Sequence, residues 1–157
     1  MAIHLSTNFT LEEATMSQTA ARKGIDNFHP SQQVITAASS TAVHMEIVRR
    51  ILGKPIHINS WIRCPELNSA LGSKSTSQHV IGEAVDFTCS QFGSPIEICK
   101  KLRNELGVWD QMILEFGWVH LSFKSSPGVR NRCEVLSLLS NGKYAQGLTS
   151  PTGQMLA

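Results

Sequence analysis

The chain has 157 residues, 41% hydrophobic and 17% charged, with a formal net charge of +2. That length and balance describe one globular domain able to bury its own core. The charge is too small to imply nucleic acid as a partner, and the longest apolar runs are too short to span a membrane. Met1 to Thr10 lacks a basic stretch followed by an apolar one, so no secretory signal is expected. The four cysteines, Cys64, Cys89, Cys99 and Cys133, form no CxxC pair, and free thiols are expected.

Thr10-Leu11-Glu12-Glu13 has the pattern of a capping box, with a Thr cap and a Glu three residues on. It predicts a helix from about Leu11 to Lys23, stopped by Gly24. A long helix should open at Pro30 or Ser31. In it Val34, Ile35, Ala38, Ala42, Met45, Val48 and Leu52 recur at three- and four-residue steps and form one apolar face. Gly53 ends it, and Ile56 to Ser60 reads as a short strand. Cys64-Pro65-Glu66-Leu67-Asn68 opens a short helix, and Gly72 to Ser77 is a polar loop. Ala84 to Cys89 alternates as a strand, with Asp86 on one face and Val85 and Phe87 on the other. Ser94-Pro95-Ile96-Glu97 is a second capping box, for a helix reaching about Leu106. Two strands follow, Gln111 to Phe116 and Trp118 to Phe123, joined through Gly117. A last strand covers Glu134 to Leu139, with a hairpin signal at Asn141-Gly142. Residues 1–147 are read as one domain and 148–157, rich in Thr, Ser, Pro, Gly and Gln, as a flexible C-terminal tail. The expected fold class is α+β: helices packed against a small, mainly antiparallel sheet whose open face carries the site.

The chemistry concentrates in two stretches, Ser77 to Asp86 and Glu115 to Ser122. His79 follows the polar loop, Gly82 marks a bend, and Asp86 lies in the next strand. In the later strand Trp118, His120 and Ser122 share a face opposite the apolar Val119, Leu121 and Phe123. His120 is therefore expected on the side assigned to Asp86. Two His and one Asp form a donor set suited to a catalytic zinc. Glu115 is then a carboxylate free to move protons. Taken singly, either His reads more simply as an ordinary polar residue; their occurrence together with Asp86 and Glu115 favours metal.

The pattern Ser77-x-His79-x-x-Gly82-x-Ala84-x-Asp86, with Trp118-Val119-His120-Leu121-Ser122 downstream, resembles the zinc D-Ala-D-Ala carboxypeptidase family. It is most similar to the branch of peptidoglycan peptidases that includes phage endolysins. The resemblance extends from about Phe9 to Leu136, through Ser60-x-x-Arg63-x-Pro65-x-Leu67-Asn68 and Asn131-Arg132-x-Glu134-Val135-Leu136. It implies Zn2+ held by His79, Asp86 and His120, with Glu115 as catalytic acid/base. Arg63 would contact a substrate carboxylate, Ser77 and Gln78 would orient His79 or substrate, and Trp118 and Trp61 either wall the cleft or pack in the core. The implied substrate is a peptidoglycan stem peptide, and the implied setting is a phage or prophage, with the protein in the host cytoplasm before release to the wall or in the virion. Other virion or lysis proteins are then possible partners. A rival reading is a non-catalytic virion or wall-binding protein that keeps the fold.

Three positions depart from the family pattern. Ser60-Trp61-Ile62-Arg63 stands for Ser-Gly-Tyr-Arg, and Gly72-Ser73 stands for Gly-Gly. Many members carry an acid three residues before the last His or a His two before it; here those positions are Gly117 and Trp118. Glu115 is five before, and an unbroken strand would turn it away from His120. A turn or bulge at Gly117 would bring it back. Asp110 is the other acid nearby.

Overall fold

The computed structural model describes all 157 residues. Five helices and six strands follow in the order α1 (Leu11–Thr15), α2 (Gln18–Lys23), α3 (Gln32–Leu52), β1 (His57–Ser60), α4 (Pro65–Ala70), β2 (Ala84–Thr88), α5 (Pro95–Glu105), β3 (Gln111–Leu114), β4 (Val119–Ser122), β5 (Glu134–Leu138) and β6 (Tyr144–Gln146). The strands form one sheet ordered β1-β2-β4-β3-β5-β6, antiparallel except for the β3–β5 pair. The α+β architecture expected from the sequence is the one observed.

Alternation along the strands divides the sheet into two chemical faces. Val85, Phe87, Met112, Val119 and Leu121 point into a core completed by Ala38, Ala42, Met45 and Val48 of α3 and Ile98 and Leu102 of α5. Complete burial of a side chain such as Met45 contributes roughly 1.5–3 kcal/mol. The opposite face carries a row of paired residues: Ser60 opposite Asp86, Asp86 opposite His120, and His120 opposite Ile113. The row runs straight across four strands, so side chains far apart in sequence stand side by side.

One local expectation needs correcting. The helix expected from Leu11 to Lys23 is two helices, because Met16 turns extended and the Ser17 hydroxyl accepts from the Ala20 N–H, capping a second start. The segment 148–157, expected as a flexible C-terminal tail, begins with a buried root. Leu148 lies in the core, the Thr149 N–H donates to Ser137 Oγ, and the Leu156 N–H donates to the Leu148 carbonyl. One buried leucine outweighs a polar composition. All four cysteines are free.

Candidate metal centre

His79 ends the polar loop and is buried. The Ser77 hydroxyl accepts from its backbone N–H, and its ring Nδ1–H donates to the Trp61 carbonyl at 2.7 Å. That bond fixes the tautomer: the proton is on Nδ1 and a lone pair is on Nε2. Trp61 is itself anchored, packed edge-on against Phe9 with its indole N–H on the Gly82 carbonyl at 3.0 Å. Gly82 sits at φ +83°, and a Cβ there would lie 2.8 Å from the Val34 carbonyl oxygen. Only glycine lets the chain pass α3 this closely before entering β2. Of the two readings open for Trp61, core packing is the one observed; Trp118 borders the cleft.

Asp86 and His120 arrive from the paired strands β2 and β4. His120 Nδ1 lies 2.9 Å and His79 Nε2 3.2 Å from the same oxygen, Asp86 Oδ1. Asp86 Oδ2 accepts from Arg63 Nη2 at 3.1 Å, and Arg63 Nε donates to Ser60 Oγ. One donor atom from each of His79, Asp86 and His120 falls within 4.8 Å of the others, and together they could hold a metal ion. Burial lowers the His79 pKa despite the neighbouring carboxylate, which keeps the ring neutral. Burial pushes the Asp86 carboxyl up, but its polar surroundings, the hydrogen bond with His120 among them, outweigh it and the group stays well below the usual carboxylate range. His79 Nε2 is buried with no hydrogen bond. A lone pair facing a carboxylate oxygen is an unfavourable contact for two acceptors. A cation between them removes the conflict, so the donor set fits a metal such as zinc.

Glu115 reaches this face through the turn at Gly117. The Glu115 N–H donates to the Trp118 carbonyl, and Phe116-Gly117 closes a hairpin with Gly117 at φ +87°. Glu115 therefore pairs across from Trp118, and Trp118 shares a face with His120. Counting residues along one strand gives the wrong parity because the chain reverses between them. Burial, then the Asp86 charge, raise the Glu115 pKa, partly offset by His120 and Arg63. The Trp118 indole N–H also favours its charged form, although that N–H makes no hydrogen bond of full geometry. Asp110, the other acid, is fully occupied by Arg132.

A cleft of about 500 Å3 opens beside the centre, bordered by Arg63, Asp86 and Trp118. Gln78 does not reach it through its amide, which donates to the buried Glu83 carboxylate. Two groups that sequence reasoning did not assign also belong to these surroundings. Glu13 of α1 lines the cleft, and the Tyr144 phenol on β6 has its pKa raised by burial and by the charges of Glu115 and Asp86. No pattern in sequence links a first-turn glutamate or an edge-strand tyrosine to His79.

Residues 7–122 match the family described as Peptidase M15. The chain belongs to the Peptidase M15 family. The matched segment contains His79, Asp86, Glu115 and His120 and ends with β4. Peptidase M15 is a zinc-dependent metallopeptidase family that acts on peptidoglycan. A search of curated proteins found no match. No helix is long and apolar enough to cross a membrane.

Proposed function

We propose that this chain is a zinc-dependent peptidase that hydrolyses amide bonds in peptidoglycan stem peptides. The observation that carries the reading is the buried, proton-free His79 Nε2 aimed at Asp86 Oδ1 beside His120, with Glu115 on the same face. His79, Asp86 and His120 would hold the zinc, which when bound supplies Lewis-acid activation of water and of the scissile carbonyl. Glu115 accepts the proton of the attacking water and delivers it to the departing amine. Its raised pKa suits both halves of that transfer. Trp61 and Ser77 hold His79 in place through the ring and the backbone. Arg63 keeps Asp86 charged, and its Nη1, which makes no hydrogen bond within the protein, is available to a substrate carboxylate. Trp118 walls the cleft.

The bond cut is that of a D-Ala-D-Ala carboxypeptidase or of an endopeptidase acting within the stem, and the resemblance to phage endolysins favours a phage or prophage source. Digestion of purified peptidoglycan, followed by mass spectrometry, is the test. New amino or carboxyl termini in stem peptides, without reducing sugars, are expected; cut glycan strands with intact peptides would overturn the reading. A protein that holds zinc yet leaves every wall intact would instead be the non-catalytic virion component.

A further inference from the structure

The chain contains two glutamates placed three residues after a helix cap, and they behave differently. At α5, Glu97 Oε2 folds back to accept from the Ser94 N–H at 2.7 Å and from its hydroxyl at 2.9 Å. The box is closed and the carboxylate is spent. At α1 the Thr10 hydroxyl accepts from the Glu13 N–H, but the Glu13 side chain makes no hydrogen bond of full geometry in return. It is close enough to the Thr10 backbone to feel it, no more. Glu13 instead lines the cleft that Arg63, Asp86 and Trp118 border, half-buried and in no ion pair.

We infer that Glu13 is an ammonium-binding residue of the substrate cleft. The inference rests on the stem-peptide reading above. A half-buried carboxylate without a cationic partner is costly unless a ligand supplies one, and burial raises the Glu13 pKa in agreement. Of the cationic groups bordering the cleft none pairs with Glu13: Arg63 donates to Asp86 and Ser60, Arg22 makes only a 3.4 Å contact to Thr19, and His57 lies near Glu13 without a hydrogen bond to it. A stem peptide attached to its glycan carries one aliphatic ammonium group, the side-chain amine of the diamino acid, because the amine of the first alanine is acylated there; a released stem peptide carries that α-amine as a second. Either is compatible with this chemistry, while the scissile amide lies at the metal centre.

The test is binding, which needs no turnover. Zinc-loaded protein carrying Glu115→Gln is titrated calorimetrically with the pentapeptide L-Ala-γ-D-Glu-L-Lys-D-Ala-D-Ala and with its ε-acetyl and α-acetyl forms. Adding Glu13→Gln keeps the side-chain size and the backbone N–H that Thr10 caps, but removes the charge. Binding of the unmodified peptide should weaken about tenfold. Acetylation of one amine should produce a similar loss with Glu13 present and none once Glu13 is Gln; that amine is the one read. Equal affinity with and without Glu13→Gln, or losses that simply multiply for both acetylated peptides, would overturn the assignment. Failure of any stem peptide to bind or be cut by the otherwise wild-type protein would overturn the peptidase reading itself, and this subsite with it.

Discussion

Asp86 and Asp110 are both buried carboxylates at the central strands, and both are held charged against the penalty of burial. Around Asp110 both oxygens have charged donors. Arg132 gives its backbone N–H and two guanidinium N–H groups at 2.8–3.0 Å, and Lys124 adds its charge at 3.6 Å. Around Asp86, Arg63 serves one oxygen, but the other is shared by two imidazoles, one of which has given its proton to Trp61. The first cluster is complete as folded and works as a clasp. The second is short of one positive charge and works as a receptacle. Burial and depressed pKa do not separate the two; the proton count does.

The sharpest way to break the contrast is to remove a member of the receptacle. His79→Ala, Asp86→Ala or His120→Ala should each lower metal affinity by more than the roughly 10–100-fold that loss of a supporting group costs, and hydrolysis should fall to background. Elemental analysis and metal titration check this, with His57→Ala, in β1, expected to retain its metal. Next in size is Glu115→Gln, which should keep the metal and lose about 10²–10⁴ in kcat. Because the Glu115 pKa is raised above its ordinary 4.5 and the base must be ionised, activity should fail on acidification at a higher pH than an unperturbed glutamate would give. A pH profile of kcat/KM reads that limb directly.

Breaking the clasp should have the opposite signature. Asp110→Asn should leave metal content unchanged and cost about 1–3 kcal/mol of stability, discounted because Arg132 is half in solvent. The sign with pH follows from its lowered pKa: the contribution is full above the unfolded value of 3.8 and is lost as pH falls through the folded one. Thermal melts of wild type and variant should therefore converge in acid. The smallest stability effect is expected at Gly117→Ala, where an added Cβ meets open space but φ is +87°. About 1 kcal/mol of strain is expected, with a proportionally larger fall in kcat because the same turn aims Glu115.

The two clusters also differ in how far the sequence revealed them. Asp86 and His120 are legible because strand alternation is local and each faces away from the apolar residues beside it, whereas His79, in a turn, is marked only by its spacing from Asp86 across Gly82. Capping residues mark α3 and α5 within a residue or two, whereas Ser17 is one hydroxyl in a run of helix formers and does not announce the break between α1 and α2. The side of Glu115 hangs in the sequence on whether Gly117 turns the chain, because parity along the chain reverses meaning once a turn intervenes. The clasp of Asp110 with Arg132 was invisible, since it spans 22 residues and no local pattern announces a partner. The buried root of the C-terminal segment rests on Leu148 and Thr149, against a composition that argues the other way.

The row Ser60–Asp86–His120–Ile113 has a consequence for the order of assembly. Its members come from four strands, and Asp86 and His120 are 34 residues apart. Local elements such as α3 and the β3–β4 hairpin need only short-range closure, but β2 must find β4 across the intervening α5 before the two ligands meet. High-affinity metal capture is thus a property of the nearly finished chain. In stopped-flow refolding, helical circular dichroism should recover ahead of metal uptake followed with a chromophoric zinc indicator. Once captured, the ion favours the native state by mass action, so the late step also locks the early ones.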